Sequence, residues 1–306
     1  MIYDLIIIGG GPAGMTAGIY SARLNLRTLL ITKTFGGQIS SKAVAIENYS
    51  GFESIQGPEL VKKMENHLKG LEINTEISEV LKIKKKEKNF IVSTEERDYE
   101  SCSVIVATGS KYKHLNVPGE KEFLGKGVSY CSVCDGPLFK NKKVAIIGGG
   151  NAGFETAAFL TNIAEKIYIL EFSEEAKAFP RIQESVLSSG KVEVITQAKV
   201  KEIKGDRFVK SIIFDHNNKE ESLEIQGVFV EVGYNPASSF VSNLIPLNKN
   251  GEINVEFETM QTEISGLFAV GDVNNGQFKQ IIIAAGEGAK ASLAAHNFIK
   301  HKNIEK

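Results

Sequence analysis

Residues 3 to 8 (YDLIII) form an apolar run that breaks abruptly into Gly9-Gly10-Gly11-Pro12-Ala13-Gly14, and a helical pattern follows over residues 15 to about 24. Apolar run, glycine turn and helix together predict a strand-turn-helix unit of the dinucleotide-binding kind. Residues 143 to 147 (KVAII) break in the same way into Gly148-Gly149-Gly150-Asn151-Ala152-Gly153, ahead of a second helical stretch over residues 154 to about 162. The opening unit therefore recurs about 139 residues later, which predicts two dinucleotide-binding domains rather than one large one. Between these units, residues 76 to 99 and again 199 to 223 alternate charged and apolar positions and read as solvated antiparallel excursions. Proline and polar residues interrupt the pattern at residues 111 to 118 and 242 to 246, where the chain is expected to cross between domains.

The length of 306 residues agrees with two domains, each able to bury its own core. With 36 basic and 37 acidic residues the net charge is -1, so no overall field gathers nucleic acid or an anionic membrane. Lys82, Lys84, Lys85, Lys86 and Lys88 are diluted by acidic neighbours and have no aromatic stacking platform, so they read as a solvated strand face. No apolar run approaches the roughly 18 residues of a membrane span, and no basic segment precedes an apolar one at the start; the expected location is the cytoplasm.

Each glycine turn has a division of labour. The first glycine permits a tight bend, the second lets backbone approach a pyrophosphate, and the third allows close packing of helix on strand. The phosphates then sit at a helix N-terminus. The next strand of such a unit usually ends in an acidic residue that bonds the adenosine ribose. Counting 23 residues from Gly148 reaches Glu171, after the apolar strand over residues 167 to 170, whereas the same count from Gly9 reaches Thr32. Glu171 is thus a candidate ribose acceptor; the alternative is a strand end in water. A carboxylate there repels a 2'-phosphate, and no arginine follows in Phe172-Ser173-Glu174-Glu175, so NADH is expected over NADPH.

Three cysteines do not make a disulfide scaffold, and two of them form Cys131-Ser132-Val133-Cys134, just before the second dinucleotide strand. Their position between two nucleotide units suits an electron relay. A structural zinc site would need four ligands, and only Cys102 and five scattered histidines remain. A purely structural disulfide would close too small a loop to stabilise the fold by much. Asp135 is adjacent to Cys134 and is either a proton donor for thiol exchange or the turn residue of Asp-Gly-Pro. Cys102 heads an apolar strand and reads as a buried small hydrophobe.

The chain resembles the low-molecular-weight thioredoxin reductases, and within them most closely the flavoprotein component of bacterial alkyl hydroperoxide reductase. The resemblance runs from residue 2 to about 299 and is carried by an ordered set of motifs. These are Gly9-x-Gly11-x-x-Gly14, Gly36-Gly37-Gln38, Glu47-Asn48-Tyr49, Ala107-Thr108-Gly109, Val117-Pro118-Gly119-Glu120, the Cys131 to Asp135 motif and Gly148-x-Gly150-Asn151, followed by the C-terminal Gly271-Asp272 and Gln280-Ile281 segments.

The resemblance implies an α/β fold of two Rossmann-like, three-layer domains, with a nicotinamide-nucleotide domain over residues 115 to 245 inserted into an FAD domain formed by residues 1 to 114 and 246 to 306. It assigns Gly9, Gly11, Pro12, Ala13, Gly14, Gly37, Gln38, Asn48, Ala107, Thr108, Gly109, Gly271, Asp272, Gln280 and Ile281 to FAD. Gly148, Gly150, Asn151, Ala152, Gly153 and Glu171 are assigned to NAD. Thr32 is no defect, because the family tolerates a non-acidic residue there. Cys134 then faces the flavin, Cys131 exchanges with the protein substrate and Asp135 shuttles the proton. Electrons pass from nicotinamide through flavin to the Cys131-Cys134 disulfide, and rotation of one domain against the other releases the dithiol to its partner.

Typical thioredoxin reductases grip NADPH with a His-Arg-Arg motif where this chain has Glu171-Phe172-Ser173, which again implies NADH. The alkyl hydroperoxide reductase flavoprotein shares the glutamate but has a long N-terminal thioredoxin-like extension. Because this chain starts directly before its first strand, the disulfide partner, thioredoxin or a glutaredoxin-like protein, is expected in trans. A homodimer is a family expectation. The competing functions are an oxidase of NAD(P)H or dithiols that makes hydrogen peroxide, a ferredoxin-fed reductase, and a non-catalytic flavoprotein.

Overall fold

The computed structural model describes residues 1–41, 46 and 48–304. In chain order the elements are β1 (Ile2–Gly10), α1 (Pro12–Arg23), β2 (Thr28–Phe35), α2 (Gly57–Lys69), β3 (Asn74–Ile77), β4 (Val80–Lys86), β5 (Asn89–Thr94), β6 (Asp98–Val106) and β7 (Ser110–Tyr112). An inserted region follows with β8 (Val128–Ser129), α3 (Ser132–Asp135), β9 (Lys143–Ile147), α4 (Asn151–Leu160), β10 (Lys166–Leu170), α5 (Pro180–Leu187), β11 (Val192–Ile195), β12 (Ala198–Gly205), β13 (Val209–His216), β14 (Lys219–Glu224) and β15 (Gly227–Val230). The chain returns through β16 (Tyr234–Pro236), β17 (Leu267–Ala269) and α6 (Ile281–Ile304).

Two compact units result, Met1–Lys111 with Asn235–Lys306, and Tyr112–Tyr234. The first holds a mixed sheet ordered β3-β2-β1-β6-β5-β4, with β17 also paired to β6. The parallel part is β3, β2, β1, β6 and β17, and its central strands are apolar on both faces because helices cover one side, and the β4-β5 ribbon with Val241, Ile245 and Ile253 covers the other. The second unit repeats the arrangement with a parallel sheet ordered β11-β10-β9-β15-β8 and an antiparallel sheet β12-β13-β14. Among the described residues no helix is long and apolar enough to cross a membrane.

The observed division differs from the expected one at its second end. The expected inserted domain includes residues 235 to 245, yet Val241 and Ile245 are buried with Ile6, Ile8 and Leu267 in the first unit. Apolar burial at these two positions, rather than the proline at 246, fixes the crossing at Tyr234.

The two alternating stretches are antiparallel but not merely solvated. Ile83, Phe90 and Val92 on β4 and β5 are buried in the first unit, and Ile203, Ile212 and Phe214 on β12 and β13 in the second. One face of each ribbon covers core while the charged face meets water, the usual economy of an antiparallel sheet. Glu76 belongs instead to β3, which runs parallel to β2. Both glycine-turn helices begin three residues earlier than the apolar pattern suggests, α1 at Pro12, whose missing N–H suits the first helical position, and α4 at Asn151. Cys102 is half-buried within β6 against the first core, not fully enclosed.

Candidate active site

In the first unit the turn after β1 shows why each glycine is needed. Gly9 has φ +115°, and a Cβ on it would stand 2.2 Å from the Ala107 carbonyl oxygen. A Cβ on Gly14 would stand 1.8 Å from the Gly9 carbonyl oxygen, so α1 can pack on β1 only without one. Gly11, the N-cap of α1, has nothing within 4 Å of that position. Two glycines are dictated by packing, and the third keeps an open approach to backbone N–H groups at a helix N-terminus. That is the cradle a pyrophosphate requires.

Around this cradle the structure gathers most of the assigned FAD residues. Gln38 Nε2 donates to the Ser110 carbonyl at 2.8 Å and to Asp272 Oδ2 at 3.2 Å, and Ser110 Oγ donates to the same carboxylate oxygen at 3.4 Å. A Cβ on Gly37 would stand 3.7 Å from the Gly11 Cα, and one on Gly271, at φ +72°, would crowd Ala13 and Ala284 at 3.3 and 3.4 Å. Asn48 Nδ2 donates to Gln280 Oε1 at 3.3 Å, one residue before Ile281 opens α6. Thr108 Oγ1 donates to the Ala237 carbonyl at 2.7 Å, next to Gly109 at φ +68°. Ala13 is buried where α6 crosses α1 at Gly288, and Pro12 starts α1. Glu47 of the resemblance lies outside the described residues.

The second turn repeats the geometry. Gly148 has φ +117° and a Cβ there would meet the Glu231 carbonyl oxygen at 2.5 Å; on Gly153 it would meet the Gly148 carbonyl oxygen at 1.9 Å; at Gly150 it would meet nothing within 4 Å. Gly148, Gly150, Glu171, Phe172, Lys199 and Glu231 line an open pocket. Asn151 Oδ1 is occupied by the Phe179 N–H at 2.9 Å, and Ala152 is exposed on the first turn of α4.

At the strand ends the two units diverge, as the residue count requires. Thr32 Oγ1 donates back to the Thr34 carbonyl at 2.7 Å. Glu171 instead accepts the Gly149 N–H at 2.6 Å and the Ser173 N–H at 2.8 Å, one on each carboxylate oxygen. Burial works against its charge, but these two N–H bonds and nearby Lys177 hold the carboxyl below its ordinary value. The result is a fixed anion beside the cradle, with lone pairs left for two hydroxyls.

Cys131 and Cys134 are joined as a disulfide, with Cα atoms 5.3 Å apart. Cys131 caps α3 and its Sγ accepts the Cys134 N–H at 3.3 Å. Asp135 Oδ2 accepts Ser129 Oγ at 2.6 Å, and Ser129 Oγ in turn accepts the Cys131 N–H at 3.0 Å. The acid therefore reaches the Cys131 side of the pair through one hydroxyl, although it follows Cys134 in sequence. Gly136 lets the turn sit on Phe159 and Leu160, where a Cβ would come within 2.7 Å of the ring.

Sequence reasoning missed Ser110, Ser129, Thr156 and Glu231. Only Glu231 carried a signal, a lone charge inside the apolar run VFVEVG ahead of a glycine. It lies after β15, Oε1 accepts Thr156 Oγ1 at 2.7 Å, and burial pushes its carboxyl up to about 7.

Two open helix N-termini on glycine turns, a carboxylate beside one of them, and a disulfide on the same unit as that carboxylate are the marks of a dinucleotide-dependent disulfide oxidoreductase. The chain belongs to the pyridine nucleotide-disulphide oxidoreductase family, whose model matches residues 3–288.

Among curated proteins it is 39% identical over 302 residues to an NADH dehydrogenase of Bacillus subtilis (strain 168), covering 97% of this chain and 58% of that protein. It is likewise 39% identical to an alkyl hydroperoxide reductase component of Pseudomonas aeruginosa, covering 97% of this chain and 58% of that protein. The chain thus spans less than two thirds of the length of these relatives. Among solved structures, the thioredoxin reductase of Streptococcus pyogenes MGAS5005 superposes with a TM-score of 0.92 at 36% identity, covering 98% of this chain and 99% of that one. That of Giardia duodenalis superposes with a TM-score of 0.93 at 31% identity, covering 97% and 99%. The resemblance read from the motifs, and the α/β fold of two Rossmann-like domains, hold.

Proposed function

We propose that this chain is an NADH-preferring reductase of a thioredoxin- or glutaredoxin-like protein disulfide, working through Cys131 and Cys134. The observation that carries the reading is the Cys131–Cys134 disulfide lying in the same compact unit as the Glu171 cradle. In this reading the first unit holds FAD and the second the nicotinamide nucleotide. When bound, NADH supplies a hydride and FAD relays an electron pair; the other tasks fall to the chain.

Gly11 and Gly150 leave room for pyrophosphates at their helix N-termini, and Asp272, Gln38, Asn48 and Gln280 stand where they orient the remainder of the flavin nucleotide. Glu171 accepts ribose hydroxyls and repels a 2'-phosphate, which gives NADH its preference. Reduction of the disulfide takes two electrons and two protons to yield two thiols. The Cys134 N–H bond to Cys131 Sγ favours thiolate on Cys131, the form that attacks a partner disulfide. Asp135, held beside the pair by Ser129, which accepts the Cys131 backbone N–H, moves the proton on the strength of the resemblance. A cytoplasmic homodimer completes this reading on the strength of the resemblance.

Anaerobic addition of NADH is expected to bleach the flavin and release two thiols per chain, with NADPH far less effective. Cys134→Ser should keep flavin bleaching and abolish reduction of added thioredoxin-like disulfides; retained turnover would refute the relay. The NADH dehydrogenase name of the Bacillus subtilis relative favours a second reading, an oxidase that reduces oxygen to hydrogen peroxide. That reading expects peroxide production as fast as disulfide reduction, undiminished in Cys134→Ser.

A further inference from the structure

A chain of two hydroxyls joins the middle of the cysteine motif to a buried carboxyl in the nucleotide pocket. Ser132, between the cysteines, has its Oγ 3.0 Å from Thr156 Oγ1, and Thr156 Oγ1 lies 2.7 Å from Glu231 Oε1. Thr156 sits on α4 and is buried, and Glu231 lines the pocket with Gly148, Gly150 and Glu171. Ser132, Thr156 and Glu231 all lie in the second unit.

Each hydroxyl owns a single hydrogen, so the direction of this chain is decided at its carboxyl end. An ionised Glu231 can only accept. Thr156 then donates to Glu231, Ser132 donates to Thr156, and the Ser132 hydrogen is committed away from the cysteines. A protonated Glu231 can donate to Thr156, Thr156 to Ser132, and the Ser132 hydrogen is released to bond a neighbouring thiolate. A hydrogen bond to the charged form of a thiol favours that form.

We propose that Glu231 is a positioning residue for the disulfide couple, whose protonation state, relayed through Thr156 and Ser132, sets the reactivity of the reduced cysteines. The inference rests on the reading of Cys131 and Cys134 as the working redox pair. The groups facing Glu231 suit a proton switch. Burial raises the carboxyl to about 7, neighbouring Glu155 on α4 adds to that, and the Thr156 bond opposes it. Glu171, just after β10, and Lys199 on β12 line the same pocket, and Asp135 shares α3 with Ser132. Lys113 approaches the backbone at Gly233, two residues beyond Glu231.

The test uses the FAD-loaded full chain, reduced with dithiothreitol, desalted anaerobically and alkylated with iodoacetamide from pH 5.5 to 9, with Cys131 and Cys134 quantified separately by peptide mass spectrometry. In the wild type, the rate at the more reactive cysteine is expected to rise in two steps, with a break near pH 7 where Glu231 ionises. Glu231→Gln should rise in one step and react roughly three- to tenfold faster than wild type at pH 8, because the Ser132 hydrogen stays available. Thr156→Val cuts the relay but keeps the carboxyl, and should also show one step. A single step in the wild type, or two steps retained in Thr156→Val, would overturn the proposal. Infrared difference spectra of the wild type, oxidised against reduced, give an independent readout in case a variant folds poorly. A protonated-carboxyl band should shift on reduction, and an unchanged band would overturn the relay. If NADH releases two thiols while Glu231→Gln matches wild type throughout, the relay is wrong and the reductase reading stands. If NADH releases none, the reductase reading itself fails.

Discussion

Replacing Glu231 by glutamine tests the electrostatics of the second unit without reference to catalysis. The carboxyl is raised from its ordinary 4.5 to about 7, first by burial and then by Glu155, against the opposing bond from Thr156. Between those two values the folded chain keeps a proton that the unfolded chain has lost, so stability falls as pH rises through this window and stays low above it. A move of this size corresponds to on the order of 3 kcal/mol at pH 8, as an upper figure. Glutamine keeps the shape, can donate its amide N–H to Thr156 as the protonated acid does, and never carries the charge. Glu231→Gln should therefore match wild type at pH 4 and exceed it by roughly 1 to 3 kcal/mol at pH 8. Because the chain has no tryptophan, urea unfolding followed by far-ultraviolet circular dichroism is the suitable assay, and the midpoint should move at pH 8 with the slope unchanged. An equal gain at both pH values, or a loss at pH 8, would mean that Glu231 is not a buried carboxyl under strain from its own charge.

Other perturbations separate binding from folding. Glu171→Gln removes the anion held by the Gly149 and Ser173 N–H groups, and should raise KM for NADH by roughly tenfold with a smaller change in kcat, while NADPH gains relative to NADH; an unchanged NADH-to-NADPH ratio would dismiss it as the selectivity residue. Gly148→Ala forces a Cβ to 2.5 Å from a carbonyl oxygen at φ +117° and should lower the thermal midpoint, whereas Gly150→Ala meets open space, should melt like wild type and should bind NADH poorly by fluorescence titration. Normal NADH binding by Gly150→Ala would remove the pyrophosphate from that cradle. Ser129→Ala cuts Asp135 from Cys131, so stopped-flow absorbance should show flavin reduction by NADH unchanged and the following disulfide reduction slowed several-fold; equal rates for both steps would release Asp135 from its proton role.

What could be read along the chain was whatever the local backbone demands. The roles of Gly9, Gly11 and Gly14 follow from strand, turn and helix in immediate succession, and the distances a Cβ would meet reproduce that division at both turns. Glu171 was legible for a related reason, since a fixed count from a glycine turn reaches the end of the next strand whatever else the chain does. The rest depends on partners that only topology supplies. Gln38 reaches Asp272 across 234 residues, and Thr156 reaches Glu231 across 75. Neither pair has a periodicity, because the parallel sheets bring strand ends together by crossovers whose lengths vary. The same cause explains the misplaced boundary, where Val241 and Ile245 look like linker next to Pro246 until β1 and β17 are seen to need covering. Asp135 makes the point at the shortest range. Adjacent to Cys134 in sequence, its carboxylate is connected to the Cys131 side only because β8 places Ser129 between them. A residue's chemistry was therefore written in the sequence wherever one turn of backbone defines its surroundings, and emerged only on folding wherever a second strand must arrive to complete them.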